Sequence, residues 1–341
     1  MLSAVYNGTW SLSLAERQRP ARTRSDDVLL AVRATGICGT DVGILAGAYG
    51  AASPGVILGH EFAAEVIEAA PGSRFTRGDR VAVDPTYDCG ACRACRSQRP
   101  NHCELKGRAE TGVSRDGAFC GFHVTEERFL YPLPPATSYR AAALSEPLSC
   151  ALTGTSRLAV RPDSDVAIIG AGTLGLLYAW CISLHGAVGV VVEASALRRE
   201  LAATLLPRGW RVVESLDAAG AGAIDIGVDT TAGAISDLLA RVRPGGALLQ
   251  IGLRRSEVTI DVGYLADKSI AVLGSVDSAY GAFQAAVSLI ARERIPADQM
   301  VTHEIALDAL PSALALLGCD LEGRRLTQPG AAMKIVVSDF L

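Results

Sequence analysis

A run of four cysteines at residues 89–103 constrains this chain more than any other feature. Cys89, Cys92, Cys95 and Cys103 are separated by two, two and seven residues. Two-residue gaps bring sulfurs from adjacent turns within about 2.3 Å of one metal, so the spacing predicts a Zn²⁺ site of four thiolates. Because four protein ligands leave no open coordination position, this zinc would be structural. A disulfide pair and an iron–sulfur cluster are the alternatives for the same thiols.

The other five cysteines are scattered along the chain, which fits a reducing cytoplasm. The chain has 341 residues, a formal net charge of −4 and nine cysteines. The first residues lack a basic region followed by a long apolar run, so no signal peptide is expected. The mildly acidic balance argues against a nucleic-acid partner. No uninterrupted apolar stretch reaches about 18 residues, so no membrane span is expected either.

A second polar group lies upstream of the cysteine run. Cys38 stands between glycines after a strand-like segment, and His60 and Glu61 precede another such segment. Alone, the cysteine would be typical of a small buried hydrophobe, and a lone histidine of a satisfied core side chain. The three residues fall within 24 positions, however, and thiolate, imidazole and carboxylate form a zinc ligand set that can leave one position open.

Glu146 is a third notable carboxylate, because it lies in an apolar, helical segment. A buried carboxylate is costly unless it is paired or bound to a metal. The alternative is an ordinary acidic residue at a helix N-terminus, with Pro147 in the first turn.

The segment around residues 165–193 predicts a dinucleotide-binding turn. An apolar run, VAIIG, leads into Gly170-Ala-Gly172-Thr-Leu-Gly175, and a helical segment and a strand ending at Glu193 follow. A strand, a glycine-rich turn, a helix and a strand ending in an acid form a much stronger signal than the glycines alone. Gly170 permits the tight turn, Gly172 lets the backbone approach a pyrophosphate, and Gly175 allows close packing of helix and strand.

Cofactor contacts follow from this turn. The first helical residues, Thr173 and Leu174, offer backbone N–H groups to the phosphates. Glu193 would accept hydrogen bonds from the adenosine ribose and repel a 2′-phosphate, which favours NAD. Arg198 and Arg199 lie close enough to leave NADP open.

Chain length and pattern predict two domains of α/β architecture. Strand-like and helix-like segments alternate after residue 162, as in an open parallel sheet. Within this pattern, residues 122–134 are predicted to form one strand, and residues 234–246 a helix with a closing glycine.

The assembled motifs resemble the zinc-dependent medium-chain dehydrogenase/reductase family of the alcohol dehydrogenase superfamily, over essentially the full length. The motifs that carry the resemblance, in chain order, are Gly36–Asp41, Gly59-His60-Glu61, Gly78–Val81, the cysteine run, Glu146-Pro147-Leu148-Ser149 and Gly170–Gly175. The GHE and EPLS motifs are similar to the sorbitol, threonine and sugar dehydrogenase branch, and the segment from Cys38 to Gly50 also resembles bacterial glucose dehydrogenases.

The resemblance implies a GroES-like, β-rich catalytic domain and a doubly wound, parallel-sheet Rossmann domain. The catalytic domain would comprise residues 1–148 and 276–341, with the zinc lobe at 89–103, and the Rossmann domain residues 149–275. A homodimer or homotetramer is also implied, in which the run 269–275 forms an edge strand that pairs across the subunit interface.

The resemblance further implies two zinc ions per chain and a hydride transfer between NAD(P) and a secondary alcohol or ketone. Cys38, His60 and Glu61 would hold the catalytic zinc. Glu146 would be a fourth ligand or a neighbour bridged by water, and the two carboxylates can exchange roles. Thr40 would accept the alcohol proton. The substrate would be a polyol, cyclitol, amino alcohol or sugar.

Three features depart from the family pattern. Many relatives carry a proton-relaying histidine five residues after the ligand cysteine, where this chain has Gly43. The next position, a tyrosine in sorbitol-type pockets, is Ile44, and a sorbitol-type arginine is missing from SVDSAY. Sorbitol itself is therefore not the expected substrate. The alternatives to the whole interpretation are a zinc-free quinone-reductase-like enzyme and a non-catalytic NAD-binding or redox-sensing protein.

Overall fold

The chain folds as two compact units. The computed structural model describes residues 1–50, 52–220, 222–253 and 257–340. Unit 1 comprises Met1–Ser149 and Ser278–Leu341, and unit 2 comprises Cys150–Asp277. Within the described residues, no helix combines the length and the apolar character that crossing a membrane requires.

The strands are numbered in chain order. They are β1 Leu2–Gly8, β2 Ser11–Glu16, β3 Asp27–Gly36, β4 Glu61–Glu68, β5 Arg80–Val83, β6 Phe122–Glu126, β7 Leu130–Pro132, β8 Asp165–Ile169, β9 Val188–Val192, β10 Arg211–Val213, β11 Ile224–Asp229, β12 Val242–Gln250, β13 Ala271–Gly274, β14 Val301–Ala306, β15 Cys319–Asp320, β16 Arg325–Leu326 and β17 Lys334–Asp339.

The helices are numbered in the same way. They are α1 Gly39–Leu45, α2 Arg93–Arg96, α3 Tyr139–Ala142, α4 Ser145–Thr155, α5 Thr173–Ser183, α6 Ala196–Leu205, α7 Ile235–Leu239, α8 Val262–Lys268, α9 Ala282–Ala291, α10 Ala297–Met300 and α11 Leu310–Leu316.

Unit 1 is built on a largely antiparallel sheet with the strand order β14-β17-β3-β4-β5-β7, and β6 also pairs with β3. Strand β3 is buried at almost every position, because its Val and Leu side chains fill the core on both faces. At its end, Gly36 lies opposite Glu61 of β4 and Val336 of β17. This register brings three distant parts of the chain to one point.

The prediction of a single strand over residues 122–134 is wrong. The segment forms β6, a 3-10 turn at Glu127–Phe129, and β7. Strand β6 pairs with β3, whereas β7 pairs with β5. Glu126, Glu127 and Arg128 interrupt the apolar pattern at the turn, but they do not reveal that the chain changes its pairing partner there.

Unit 2 contains a parallel sheet with the strand order β10-β9-β8-β11-β12-β13. The order reverses direction at β8, as in a doubly wound Rossmann fold. The observed architecture therefore confirms the predicted α/β class with a β-rich GroES-like part and a Rossmann part.

The predicted helix over residues 234–246 is shorter than expected. Helix α7 ends at Leu239, and Val242 already pairs with Ile224 of β11. Gly245, which was expected to close the helix, adopts a φ of 80° within β12, at an irregularity in the pairing. Pairing with β11 in the parallel sheet therefore determines the structure from Val242 onward, although the local sequence pattern is helical.

Candidate active site

Three potential metal ligands meet where β3 ends and β4 begins. Cys38 lies two residues after β3, His60 directly precedes β4, and Glu61 is its first residue. One donor atom from each side chain lies within 4.8 Å of the other two. His60 and Glu61 are 6% and 1% exposed. The structure thus gathers the three residues that the sequence pattern singled out.

Asp41 contacts the backbone of Cys38 and lies close to the ring of His60. Its Oδ2 accepts a hydrogen bond from the Cys38 N–H at 2.9 Å, which caps helix α1. Its Oδ1 lies 3.6 Å from Nδ1 of His60, and Asp41 is fully buried. A carboxylate behind a ligating imidazole fixes the ring orientation and raises its basicity.

Lys334 reaches Glu61 across a glycine. The lysine opens β17, and its Nζ donates hydrogen bonds to a carboxylate oxygen of Glu61 and to the Ile37 carbonyl oxygen. A Cβ at Gly36 would lie 2.4 Å from Glu61 Oε2 and 3.2 Å from Lys334 Cε. Only glycine at that position leaves room for the pair, which is almost fully buried.

The electrostatics of this group suit a bound cation. Burial raises the pKa of the Cys38 thiol, and Glu61 raises it further, whereas His60 and Lys334 lower it. Burial alone would lower the pKa of His60, but Asp41 and Cys38 outweigh it and raise that pKa. Within the described chain, His60 Nδ1 and Asp41 Oδ1 have no hydrogen-bond partner. A thiolate here needs a nearby cation, and the donor types are those that zinc prefers.

Glu146 and Thr40 accompany the group without belonging to it. Glu146 lies in the first turn of α4 and is 8% exposed. The pKa of Lys334 is raised although burial lowers it. Glu61 and Cys38 raise this pKa most, and the Glu146 carboxylate adds a smaller contribution. Thr40 lies in the first turn of α1, and its N–H donates to Cys38 Sγ at 3.4 Å.

The cysteine lobe forms a second, separate donor group. One sulfur each from Cys89, Cys92, Cys95 and Cys103 lies within 4.8 Å of the others. The Sγ distances are 3.5 Å from Cys92 to Cys95 and 3.9 Å from Cys89 to Cys95. Sulfurs at about 2.3 Å around a tetrahedral metal are about 3.8 Å apart, whereas a disulfide needs about 2.05 Å. The spacing therefore fits a metal and excludes a disulfide between these pairs.

Backbone N–H groups in the lobe stabilise the thiolate form of its cysteines. Cys92 N–H donates to Cys89 Sγ at 3.3 Å, and Leu105 N–H donates to Cys103 Sγ at 3.4 Å. Backbone hydrogen bonds from Cys95 and Glu104 lower the pKa of Cys92 to about 6. Such donors favour the ionised sulfur, which is the form that binds a metal.

An arginine attaches the lobe to the sheet. Arg128 donates to Asp88 Oδ1 at 2.6 Å and to Glu126 Oε2 at 2.8 Å. Its guanidinium carbon also lies over the ring of Phe129, 4.2 Å from the ring centroid. Because Asp88 directly precedes Cys89, these contacts fix the point where the lobe begins.

In unit 2, the glycine turn has the form that a dinucleotide requires. Gly170 follows β8 with a φ of 95°, and Gly172 caps helix α5. A Cβ at Gly175 would lie 1.9 Å from the Gly170 carbonyl oxygen. Helix α5 then begins with Thr173 and Leu174. The backbone N–H groups of its first turn therefore lie next to Gly172, which has no side chain, and a phosphate fits there.

Glu193 and Arg198 meet beside this turn. Oε2 of Glu193 accepts from the Ala171 N–H at 3.2 Å and lies 3.4 Å from Nε of Arg198. A Cβ at Gly172 would lie 3.1 Å from Nη2 of Arg198. The carboxylate and the guanidinium therefore both border the space over the glycine turn. The adenosine ribose of a dinucleotide would be recognised in that space.

Sequence reasoning assigned no role to Asp41 or Lys334. Asp41 stands three residues after the cysteine, a spacing that suits a helix cap. Lys334 is a charged residue that directly precedes the apolar run Ile335–Val337 of β17. Charge in an apolar strand was an available signal, but its partner lies 273 residues away.

Comparison with known proteins identifies the family of the chain. Residues 24–135 match the alcohol dehydrogenase GroES-like domain. A sorbitol dehydrogenase of Bacillus subtilis (strain 168) is 32% identical over 333 residues, which cover 92% of each chain. The chain belongs to the zinc-dependent medium-chain dehydrogenase/reductase family. It is an oxidoreductase that uses zinc and NAD(P), and its reaction transfers a hydride between the nicotinamide and an alcohol or ketone.

Further relatives of this medium-chain dehydrogenase include a D-xylulose reductase A of Aspergillus oryzae, 30% identical over 334 residues and covering 90% of each chain. Among solved structures, a zinc-binding dehydrogenase of Sinorhizobium meliloti 1021 bound to NADP superposes with a TM-score of 0.86, at 25% identity, over 99% of this chain and 98% of that one. A cobalt- and zinc-bound alcohol dehydrogenase of Pyrobaculum aerophilum gives a TM-score of 0.86 at 26% identity, over 99% of each chain.

Proposed function

We propose that this dehydrogenase oxidises a polyhydroxylated or amino-substituted secondary alcohol to a ketone, with NAD as the preferred acceptor. The observation that carries the proposal is the buried group of Cys38, His60 and Glu61, with donor atoms within 4.8 Å of one another. Residues 1–148 and 276–341 would form the catalytic domain, and residues 149–275 would bind the cofactor.

The chain's own residues prepare the chemistry. Cys38, His60 and Glu61 would hold a zinc ion, which when bound acts as a Lewis acid and stabilises the alkoxide form of an alcohol. Asp41, behind the His60 ring, would fix the ring orientation once the histidine binds the metal, and Lys334 holds Glu61 through an ion pair. Thr40, two residues after Cys38, would accept the alcohol proton. The hydride chemistry itself is that of the nicotinamide.

Glu61 is the third ligand in this proposal, with Glu146 as its neighbour. The Glu61 carboxylate oxygen that contacts Lys334 is committed to the ammonium group, so the other oxygen is left for the metal. A second zinc, held by the four lobe cysteines, brings the content to two per chain and has a structural role.

The preference for NAD rests on Glu193. Its carboxylate borders the glycine turn and would repel a 2′-phosphate. Arg198 offsets part of that repulsion, because its Nε lies 3.4 Å from the carboxylate. We therefore expect a preference of about tenfold in kcat/KM for NAD, with measurable activity on NADP. Glu193→Ala should bring the two cofactors close to parity.

The substrate class follows from the relatives. Sorbitol dehydrogenase and D-xylulose reductases are among the proteins most similar to this chain, so a polyol, cyclitol, amino alcohol or sugar is the proposed substrate. Gly43 and Ile44 replace two residues of the sorbitol-type pocket, so sorbitol should be a poor substrate. The zinc-free alternative predicts no ligand group, whereas the chain gathers one.

We further propose a cytoplasmic homodimer or homotetramer. Strand β13 pairs with β12 on one side and ends the strand order of unit 2 among the described residues. Val272 at its centre is 37% exposed, and an exposed apolar edge strand is well suited to pairing with a second copy. Val272→Lys should yield monomers in light scattering after size-exclusion chromatography, whereas Val188→Lys, at a valine of β9 that is 49% exposed, should not.

The test of the proposed function is a substrate panel. Purified protein loaded with zinc is assayed with polyols, aminocyclitols, aldoses and threonine, with NAD and NADP, at the absorbance of reduced nicotinamide. We expect zinc-dependent turnover of at least one polyol or amino alcohol, which a chelator abolishes and zinc restores. Turnover that is unaffected by complete zinc removal would contradict the proposal.

A further inference from the structure

We propose that Asp229 is a positioning residue for the dinucleotide. Its carboxylate holds residues 230–234, here called the β11 loop, in the conformation that forms one wall of the cofactor crevice, opposite the glycine turn. The inference rests on the proposed role of residues 149–275 in cofactor binding. Asp229 is 1% exposed, so it acts through the loop and not by touching the cofactor.

The position of Asp229 in the sheet places it at this crevice. Strand β11 ends at Asp229, which pairs with Ile169, the last residue of β8. The strand order changes direction between β8 and β11, because β9 and β10 extend the sheet on one side and β12 and β13 on the other. In open α/β sheets, ligands bind outside the carboxyl ends of the strands at this point. The glycine turn after β8 and the β11 loop therefore border the same crevice.

The carboxylate of Asp229 binds the β11 loop at four points. Its Oδ1 accepts hydrogen bonds from the Thr231 N–H at 2.8 Å, the Thr231 hydroxyl at 2.8 Å and the Ala232 N–H at 3.0 Å. Its Oδ2 accepts from the Ala234 N–H at 2.9 Å. Ala232 has a φ of 61°, in a region that residues other than glycine rarely adopt. The hydrogen bonds thus hold the loop where its backbone is least favourable.

The β11 loop packs between two glycines. A Cβ at Gly170 would lie 2.5 Å from Oγ1 of Thr230 and 2.9 Å from Cγ2 of Thr231. On the other side, a Cβ at Gly252 would lie 2.6 Å from the Ala232 nitrogen. Because the loop contacts the glycine turn directly, a change in the loop conformation changes the shape of the phosphate site.

The charge of Asp229 serves to fix this loop. Among the described residues, its side chain accepts hydrogen bonds from backbone N–H groups and one hydroxyl, and no ion pair involves it. A buried charge is costly unless it is hydrogen-bonded, and hydrogen bonds to a charged acceptor are about twice as strong as those between neutral groups. A loop that is fixed before binding loses less freedom when the cofactor binds, which increases the affinity.

The first test is Asp229→Asn, which keeps the shape of the side chain. The amide nitrogen only donates, so at least one N–H group of the loop loses its acceptor. The Kd of NADH should rise about tenfold, as measured by NADH fluorescence and isothermal titration. The KM for NAD should rise by about the same factor, while kcat at saturating NAD stays within about twofold, because only cofactor binding is weakened.

Two substitutions at Thr231 isolate the hydroxyl bond. Thr231→Val removes the hydroxyl donor and keeps a β-branched side chain, whereas Thr231→Ser keeps the donor. The Kd of NADH should rise about threefold in the valine variant and stay within about 1.5-fold of wild type in the serine variant. These smaller changes remain informative if Asp229→Asn does not fold.

Asp261→Asn is the matched control in the same unit. Asp261 is exposed and caps α8, since its Oδ1 accepts from the Gly263 N–H at 2.9 Å and the Tyr264 N–H at 3.1 Å. The control should lower the melting temperature and leave the Kd of NADH unchanged. A solely structural role of Asp229 predicts the same pattern, with kcat reduced in proportion to the folded fraction.

The outcomes separate the positioning role from the proposed function. Thermal melting first establishes which variants are folded. The positioning role is refuted if folded Asp229→Asn binds NADH as tightly as wild type or, where that variant does not fold, if the two Thr231 variants bind NADH equally. Wild-type protein that binds neither NADH nor NADPH would instead refute the proposed cofactor role of residues 149–275, and the positioning role with it.

Discussion

The two metal-ligand groups of this dehydrogenase are assembled in opposite ways. The lobe draws its four thiols from residues 89–103, and Cys89, Cys92 and Cys95 are only partly buried. The group at Cys38, His60 and Glu61 depends on strand pairing, and its support comes from Lys334 at the other end of the chain. The lobe is a local, closed structure, whereas the second group is part of the sheet core.

This difference predicts a difference in what each group controls. A closed four-thiolate group adds folding free energy to a segment with little core of its own. A group built into a sheet can be held by packing, so its metal is available for chemistry. Breaking one group should therefore affect stability first, and breaking the other should affect turnover first.

The largest expected effect is on turnover. Cys38→Ala should lower kcat by about a thousandfold or more, because a loss of about 4 kcal/mol of stabilisation corresponds to that factor. NAD affinity should stay within about twofold, since the glycine turn lies in unit 2. Stopped-flow kinetics and isothermal titration with NAD check the two results. Activity equal to that of wild type would refute the assigned role.

The converse change is Cys92→Ser in the lobe. It should lower the free energy of unfolding by several kcal/mol, because zinc affinity there is folding free energy. The kcat per folded molecule should remain near the wild-type value. Chemical denaturation and a kcat corrected for the folded fraction measure both quantities. If the variant melts like wild type, the lobe has no structural role.

Removing the lysine tests how the sheet holds its ligand. Lys334→Met leaves the Glu61 carboxylate buried without its cation, which should cost about 3–5 kcal/mol of unfolding free energy in the zinc-free protein. The control is Lys268→Met, because Lys268 is 40% exposed and pairs with an exposed Asp267. That change should cost less than about 1 kcal/mol. Equal effects of the two variants would contradict the account of a buried, positioning ion pair.

A smaller effect concerns pH and the sheet. Burial, aided by the charge of Arg115, lowers the pKa of His123 on β6 to about 4. Because the folded pKa lies below the unfolded value of about 6.5, the unfolded chain binds the proton first as the pH falls. The contribution of this histidine is fully present above about pH 6.5 and is lost by about pH 4, which amounts to about 3 kcal/mol.

The sign is checked by measuring the unfolding free energies of wild type and His123→Phe at several pH values from about 7 to about 4. The variant should lose less stability over that interval, because phenylalanine does not titrate and can keep the edge contact with Phe62. Parallel pH profiles for the two proteins would show that His123 does not titrate as its burial predicts.

Sequence alone predicted the features that are encoded locally. The cysteine spacing, the glycine turn at Gly170–Gly175 and the pairing of His60 with Glu61 in one motif all place their residues within a few positions. The residues that sequence reasoning missed depend on strand register. Lys334 meets Glu61 only because β17 and β4 flank Gly36 on β3, and no local pattern encodes that neighbourhood.

The wrong element predictions have the same origin. The pattern of residues 122–134 does not show the change of pairing partner from β3 to β5, and the predicted helix after Leu239 is replaced by a strand that pairs with β11. In both places, tertiary pairing decides a structure that local periodicity leaves ambiguous.

Anomalous diffraction at the zinc absorption edge, from crystals of the zinc-loaded protein, tests the central claim most directly. We predict two peaks per chain. One lies among the four lobe sulfurs, and the other lies about 2.3 Å from Cys38 Sγ and about 2.0–2.1 Å from a ring nitrogen of His60. A peak in the lobe alone, with none at Cys38 and His60, would contradict the account.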